Sequence, residues 1–93
     1  MDNDTLRGAL DTYGADAQTL MLFEEMAELQ KTLCKHARGR DNREAIAEEI
    51  ADVQIMLAQM TMLHDCAVLV DEYIKIKLDR LRKRLEANNE KAY

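Results

Sequence analysis

The sequence predicts an all-α chain: an antiparallel hairpin of two long helices, flanking helices, and a four-helix bundle core formed by oligomerisation. Three observations predict it. The 93 residues contain no proline and only three glycines, so little interrupts a helix. Apolar residues recur in steps of four and three at Leu22, Met26, Leu29 and Leu33, and with the same spacing at Ile46, Ile50, Val53, Leu57 and Met60, the pattern of a packed helical seam. The stretch between the two series, Arg38-Gly39-Arg40-Asp41-Asn42, is short enough to make the helices antiparallel neighbours.

Residues 3–13 form a short amphipathic helix through Leu6, Ala9, Leu10 and Tyr13, with Asn3 or Asp4 as its cap and Gly14 as its stop. Asp16 is placed to cap a long helix that reaches about residue 37. Gly39 suits the C-terminus of that helix, and Asp41 with Glu44 reads as a capping box for the next, which runs over about 42–63. His64-Asp65-Cys66 breaks the pattern. A last helix begins between residues 67 and 71, with Ile74, Leu78, Leu81 and Leu85 as its seam. A chain of this length is a single domain, residues 1–93, and buries little core alone, so self-association into a dimer or tetramer is expected.

Charge narrows the function. The formal net charge is −5, unevenly spread: residues 1–72 hold six Lys/Arg against fifteen Asp/Glu, a balance of −9, and residues 73–93 hold seven against three, a balance of +4. The acidic excess argues against nucleic-acid binding. No apolar run reaches the roughly 18 residues of a membrane span. The opening MDNDTLRGAL is charged from its second residue, unlike a secretory leader. Cys34 and Cys66 belong to no metal-like spacing and are expected to be reduced thiols of a cytoplasmic protein.

The chemistry concentrates in 23–60. Glu25-x-x-Glu28 lies within EEMAEL, and Glu49-x-x-Asp52 lies within EEIADV. Residues three apart share a helix face, so each run offers two carboxylates beside its apolar seam. Folding about residue 40 brings Glu28 level with Asp52, and Glu25 and Glu49 within a turn of that level. Four acids facing one small volume repel unless a cation lies between them. Mg²⁺, with Mn²⁺ as a substitute, is the hard ion that takes carboxylate oxygens and leaves room for phosphate and water. Di-iron chemistry is disfavoured, because neither His36 nor His64 has a Glu three residues before it. An all-carboxylate cluster near cations instead suits hydrolysis of a phosphate ester or anhydride. Glu24 and Glu48 lie off the acid face, and the six methionines read as adaptable packing.

These two acidic motifs resemble the paired ExxE and ExxD signature of the MazG-like all-α nucleoside triphosphate pyrophosphohydrolases, over residues 18–63. The resemblance implies Mg²⁺-dependent hydrolysis of a nucleoside triphosphate to the monophosphate and pyrophosphate, in an oligomer built from the helices of several subunits. It also implies that Glu25, Glu28, Glu49 and Asp52 are the metal ligands. Lys77 and Arg80 match phosphate contacts more loosely, and Lys31, Lys35 and Arg38 are further candidates. The chain departs from longer relatives in lacking tryptophan, so no base-stacking residue is evident. Two alternatives stay open. One is phosphoribosyl-ATP pyrophosphohydrolase, of the same superfamily, although Gln54, Ile55 and Met56 stand where that group usually has a His. The other is a helical interaction module that has the fold without the chemistry.

Overall fold

The computed structural model describes the backbone of residues 1–91 and the side chains of residues 1–89, and among them there are four helices and no strand. In order these are α1 (Asn3–Tyr13), α2 (Ala15–Ala37), α3 (Arg43–Leu63) and α4 (Ala67–Lys91). The expected boundaries hold to within two residues, the largest difference being the start of α2; the caps do not. Asp2, rather than Asn3 or Asp4, closes the start of α1, with its Oδ1 accepting from the Thr5 amide at 3.1 Å and its Oδ2 from the Thr5 hydroxyl at 2.6 Å. Asp16 lies inside the first turn of α2, and Gly14 is the residue before that helix. The capping box of Asp41 and Glu44 is not formed. Asn42 precedes α3, and its Nδ2 donates to the Thr32 carbonyl at 3.0 Å, so its side chain ties the two long helices together instead of capping one.

The two links after α2 and α3 are built alike. Gly39, at φ +96°, sends its amide to the His36 carbonyl while Arg40 donates to Lys35. Asp65, at φ +48°, does the same to Met62 while Cys66 donates to Thr61. Each is a left-handed residue closing a helix through paired 5→2 and 6→1 bonds. The first returns the chain along itself: Thr32 meets Asn42, and at the other end the Thr19 hydroxyl lies 3.5 Å from the Met60 sulfur. The second bends it by 120° between α3 and α4.

The contact line between α2 and α3 is rotated relative to the apolar series. On α2 the partly or fully buried positions include Gln18, Leu22, Glu25, Leu29 and Thr32; on α3 they include Ile46, Glu49, Val53, Met56 and Met60. Both run in steps of four and three, as a seam must. The line uses only some of the apolar residues, passes through an acid on each helix, and leaves Met26, Leu33, Ile50 and Leu57 between 41 and 48% exposed. At about 100° per residue those four fall on one side of the helix pair. α1 packs on both α2 and α3 and buries Leu6 and Leu10, each worth about 1.5–3 kcal/mol. Among the described residues α4 touches α3 alone.

The result is an open molecule. Its radius of gyration is 17.2 Å, against about 12 Å for a compact domain of this length. Its accessible surface is 7598 Å², about 2,000 Å² above that of a compact monomer of the same mass. Among the described residues no single helix is long and apolar enough to cross a membrane.

Two glycines of α1 and its link give opposite expectations. Gly14, at φ +92° and ψ 159°, occupies a region that only glycine enters without strain, so Gly14→Ala lowers stability by about 1–3 kcal/mol. Gly8, inside α1 with nothing within 4 Å of an added Cβ, gains about 0.5–1 kcal/mol as Gly8→Ala. Urea melts of the two variants beside the parent check both signs.

Candidate metal centre

Helix α2 supplies Glu25 and α3 supplies Glu49 and Asp52, and one carboxylate oxygen from each lies within 4.8 Å of the others. The convergence follows from the fold. Glu25 and Glu49 occupy contact-line positions on facing helices, and Asp52 lies one turn along α3 from Glu49. All three are partly buried. Glu28, the fourth expected ligand, is exposed. It stands at the rim, near enough that its charge helps to raise the pKa of both Glu25 and Glu49.

Electrostatics mark the place as unsatisfied. Burial is the main cause that lifts the Glu25 carboxyl above its ordinary range, followed by the charges of Asp52, Glu49, Glu28 and Glu24. Burial likewise lifts Glu49, followed by Asp52, Glu28 and Glu48. The Oε2 atom of Glu49 is buried and has no hydrogen-bond partner. A carboxylate with an orphaned oxygen, meeting two other carboxylates, is a donor set for a hard cation. At Mg–O distances of about 2.1 Å, adjacent oxygens on one ion stand about 3.0 Å apart and opposite ones about 4.2 Å, so these three share an ion once side-chain rotation draws them closer. The residues present fit the ion.

The cations are arranged otherwise. Among the described residues every ion pair lies within α4: Arg82 with Asp79 at 2.6 Å and with Glu86 at 2.9 Å, and Lys83 with Asp79 at 3.0 Å. Lys77 and Arg80 take part in none of these, are exposed, and sit on the helix that does not touch α2. Lys31 and Lys35 are exposed on α2, one and two turns beyond Glu28, and Arg38 ends that helix. His36 Nδ1 lies 3.1 Å from the Arg40 carbonyl oxygen, a helix-end contact. Cys34 and Cys66 are free. A cleft of about 510 Å³ lies among α1, the end of α3 and the start of α4, lined by residues such as Leu6, Arg7, Met62 and Asp65, and it contains none of Glu25, Glu28, Glu49 and Asp52.

Hydrophobic pattern alone misses the polar residues that flank this centre. Gln18, Thr32 and Gln59 are buried. The signal that finds the first two is the unbroken spacing Gln18-Leu22-Glu25-Leu29-Thr32, which a count of apolar residues cannot see. Comparison of the chain with family models, curated proteins and solved structures found no match.

Raised carboxyls give a pH dependence with a definite sign. A carboxylate whose folded pKa lies above its unfolded value carries no penalty in acid, and a growing one as pH rises through the unfolded and then the folded value. Glu25→Gln and Glu49→Gln therefore each raise the melting temperature of the metal-free protein at pH 7–8. The difference from the parent disappears once the pH falls below the ordinary carboxylate range. Melting curves in chelator across pH 3–8 check this.

Proposed function

We propose that the chain is a Mg²⁺-dependent nucleotide pyrophosphohydrolase of the MazG-like kind, cleaving a nucleoside triphosphate to the monophosphate and pyrophosphate. The observation that carries this reading is the meeting of one carboxylate oxygen each from Glu25, Glu49 and Asp52 within 4.8 Å, at a residue, Glu49, whose Oε2 is buried and unpartnered. A bound Mg²⁺, or Mn²⁺ in its place, supplies neutralisation of phosphate charge and activation of water. The chain's own residues supply the rest. Glu25, Glu49 and Asp52 hold the ion, and Glu28 completes the set from the rim. One of these four carboxylates, or the neighbouring Glu24 or Glu48, accepts the proton of the water that attacks the α–β linkage. Lys77 and Arg80, with Lys31 and Lys35, bind the phosphates and the pyrophosphate that leaves.

The α2–α3 pair is, in this reading, half of the core. Two such antiparallel hairpins meet through the side that carries Met26, Leu33, Ile50 and Leu57 and form a four-helix bundle in a homodimer or in a tetramer. The uncovered apolar side and the excess surface support it. The alternative of a helical interaction module draws on a different observation, the exposed apolar residues of α4. Turnover separates the two.

With Mg²⁺ present, release of pyrophosphate from at least one nucleotide in a panel of common, modified and oxidised triphosphates is expected. Reaction in ¹⁸O-water places the label in monophosphate or pyrophosphate. Inorganic phosphate as the sole product contradicts the reading. Mg²⁺ at about 100 times its dissociation constant stabilises the parent by about 2.7 kcal/mol per independent site. Glu49→Gln loses most of that gain and all turnover. Equal Mg²⁺ shifts in parent and variant exclude a metal site.

A further inference from the structure

One line of side chains on α3 leads from the acids to a cavity. Glu48, Asp52, Ile55 and Gln59 recur in steps of four, three and four, within about 60° on the wheel and beside the contact line that carries Glu49. Gln59, at the far end, is 4% exposed, and Ile55, one turn nearer to the acids, is 42% exposed, so the line passes under cover between them. The start of α1 lies at that step. Met1, Asp2, Thr5 and Leu6 close with Ile55 around a cavity of about 210 Å³. The larger cleft lies further from the acids along α3, at Ala58, Thr61 and Met62.

The smaller cavity suits one end of a ligand. It falls below the about 300–1,000 Å³ that encloses a whole small molecule, and its Ile55 wall stands one turn, about 4.5 Å along the helix, from Asp52. Met1, Leu6 and Ile55 give it apolar walls, which cover the faces of a flat ring. Its polar side chains only accept. Asp2 takes the Thr5 hydroxyl at 2.6 Å and the Thr5 amide at 3.1 Å, and these two bonds, the hydroxyl first, hold its carboxyl below the ordinary range. Each carboxylate oxygen keeps a further acceptor position, and the Thr5 oxygen, its proton given to Asp2, has only lone pairs to offer.

We propose that this cavity is the base subsite of the nucleotide and that the base it takes is guanine. A rim of acceptors pairs with a ring edge that presents two N–H donors side by side. Among the common bases guanine alone has such an edge, through N1–H and the 2-amino group. Adenine and cytosine carry an acceptor beside their amino group, and uracil and thymine flank one N–H with two carbonyl oxygens. Each of these sets lone pair against lone pair and leaves polar groups unpaired. With the phosphates held at Glu25, Glu49 and Asp52, the sugar spans the turn between Asp52 and Ile55. That the base belongs to a triphosphate rests on the nucleotide reading above; the slot for a guanine ring does not.

The slot is tested first without metal or turnover. Guanosine, adenosine, cytidine and uridine are titrated in chelator into the full-length chain and followed by amide NMR shifts. Guanosine is expected to shift the amides of Asp2, Thr5, Leu6 and Ile55 and to bind about tenfold or more tighter than the other three. Asp2→Asn keeps a capping side chain while turning one acceptor into a donor, and it is expected to lose that margin with its helix content unchanged by circular dichroism. With Mg²⁺ and triphosphates, kcat/KM is expected to favour guanine by a similar factor in the parent and not in Asp2→Asn. No binding, guanosine shifts confined to other residues, equal binding of the four nucleosides, or a preference that survives in Asp2→Asn overturns the proposal. Selective binding without pyrophosphate release keeps the subsite and rejects the hydrolase; pyrophosphate release with no base preference does the reverse.

Discussion

Two carboxylates inside a helix–helix contact are the constraint on which the rest of this structure depends. Glu25 and Glu49 take positions on the α2–α3 contact line that an ordinary seam fills with leucine. Gln18 and Thr32 take two more. Desolvating ionised groups is costly unless a counter-charge is supplied, so this line holds two helices together less firmly than its length suggests. The chain compensates locally. Asn42 is bonded to the Thr32 carbonyl at one end, and α1, with Leu6 and Leu10 buried, packs on both helices. An arrangement that trades packing for a shared acidic point is common where chemistry sets the requirement.

The same constraint accounts for what lies outside. With the contact line given partly to polar groups, the apolar residues one position further round, Met26, Leu33, Ile50 and Leu57, remain in solvent. The apolar seam on α4 does too. A chain of 10.7 kDa with this much exposed apolar surface has a hydrophobic driving force for association still unspent. The converging acids and the uncovered apolar side lie on the same two helices.

The fold class was legible because its signals are local. Absent proline, glycine near the ends, and spacings of four and three produce four helices whose limits agree with expectation within two residues. The caps were less legible, since Asp2, Asn3 and Asp4 compete for one role and the geometry that favours Asp2 lies in its two bonds to Thr5. Asn42 could not be read at all, because its partner Thr32 is ten residues away on another helix. At the site, three of four acids converge because Glu25 and Glu49 both lie on the contact line and Asp52 stands one turn along α3 from Glu49. Glu28 stays at the rim because the line of contact passes through Glu25. Pattern alone favoured a seam through Met26 and Leu33. Only tertiary packing decides which of two parallel lines on one helix is used, and here it chose the one that carries the acids.

The spacing of that line sets where the chain tolerates changes of length. One residue added within α2 between Gln18 and Glu25 turns everything that follows on that helix by about 100° and shifts it by about 1.5 Å. Glu25 would then leave the contact line or Gln18 would. The same residue added at Arg40 or Asp41, in the stretch between the two long helices, turns neither helix and leaves Glu25 facing Glu49. Register, and not loop length, is the quantity this molecule has to conserve.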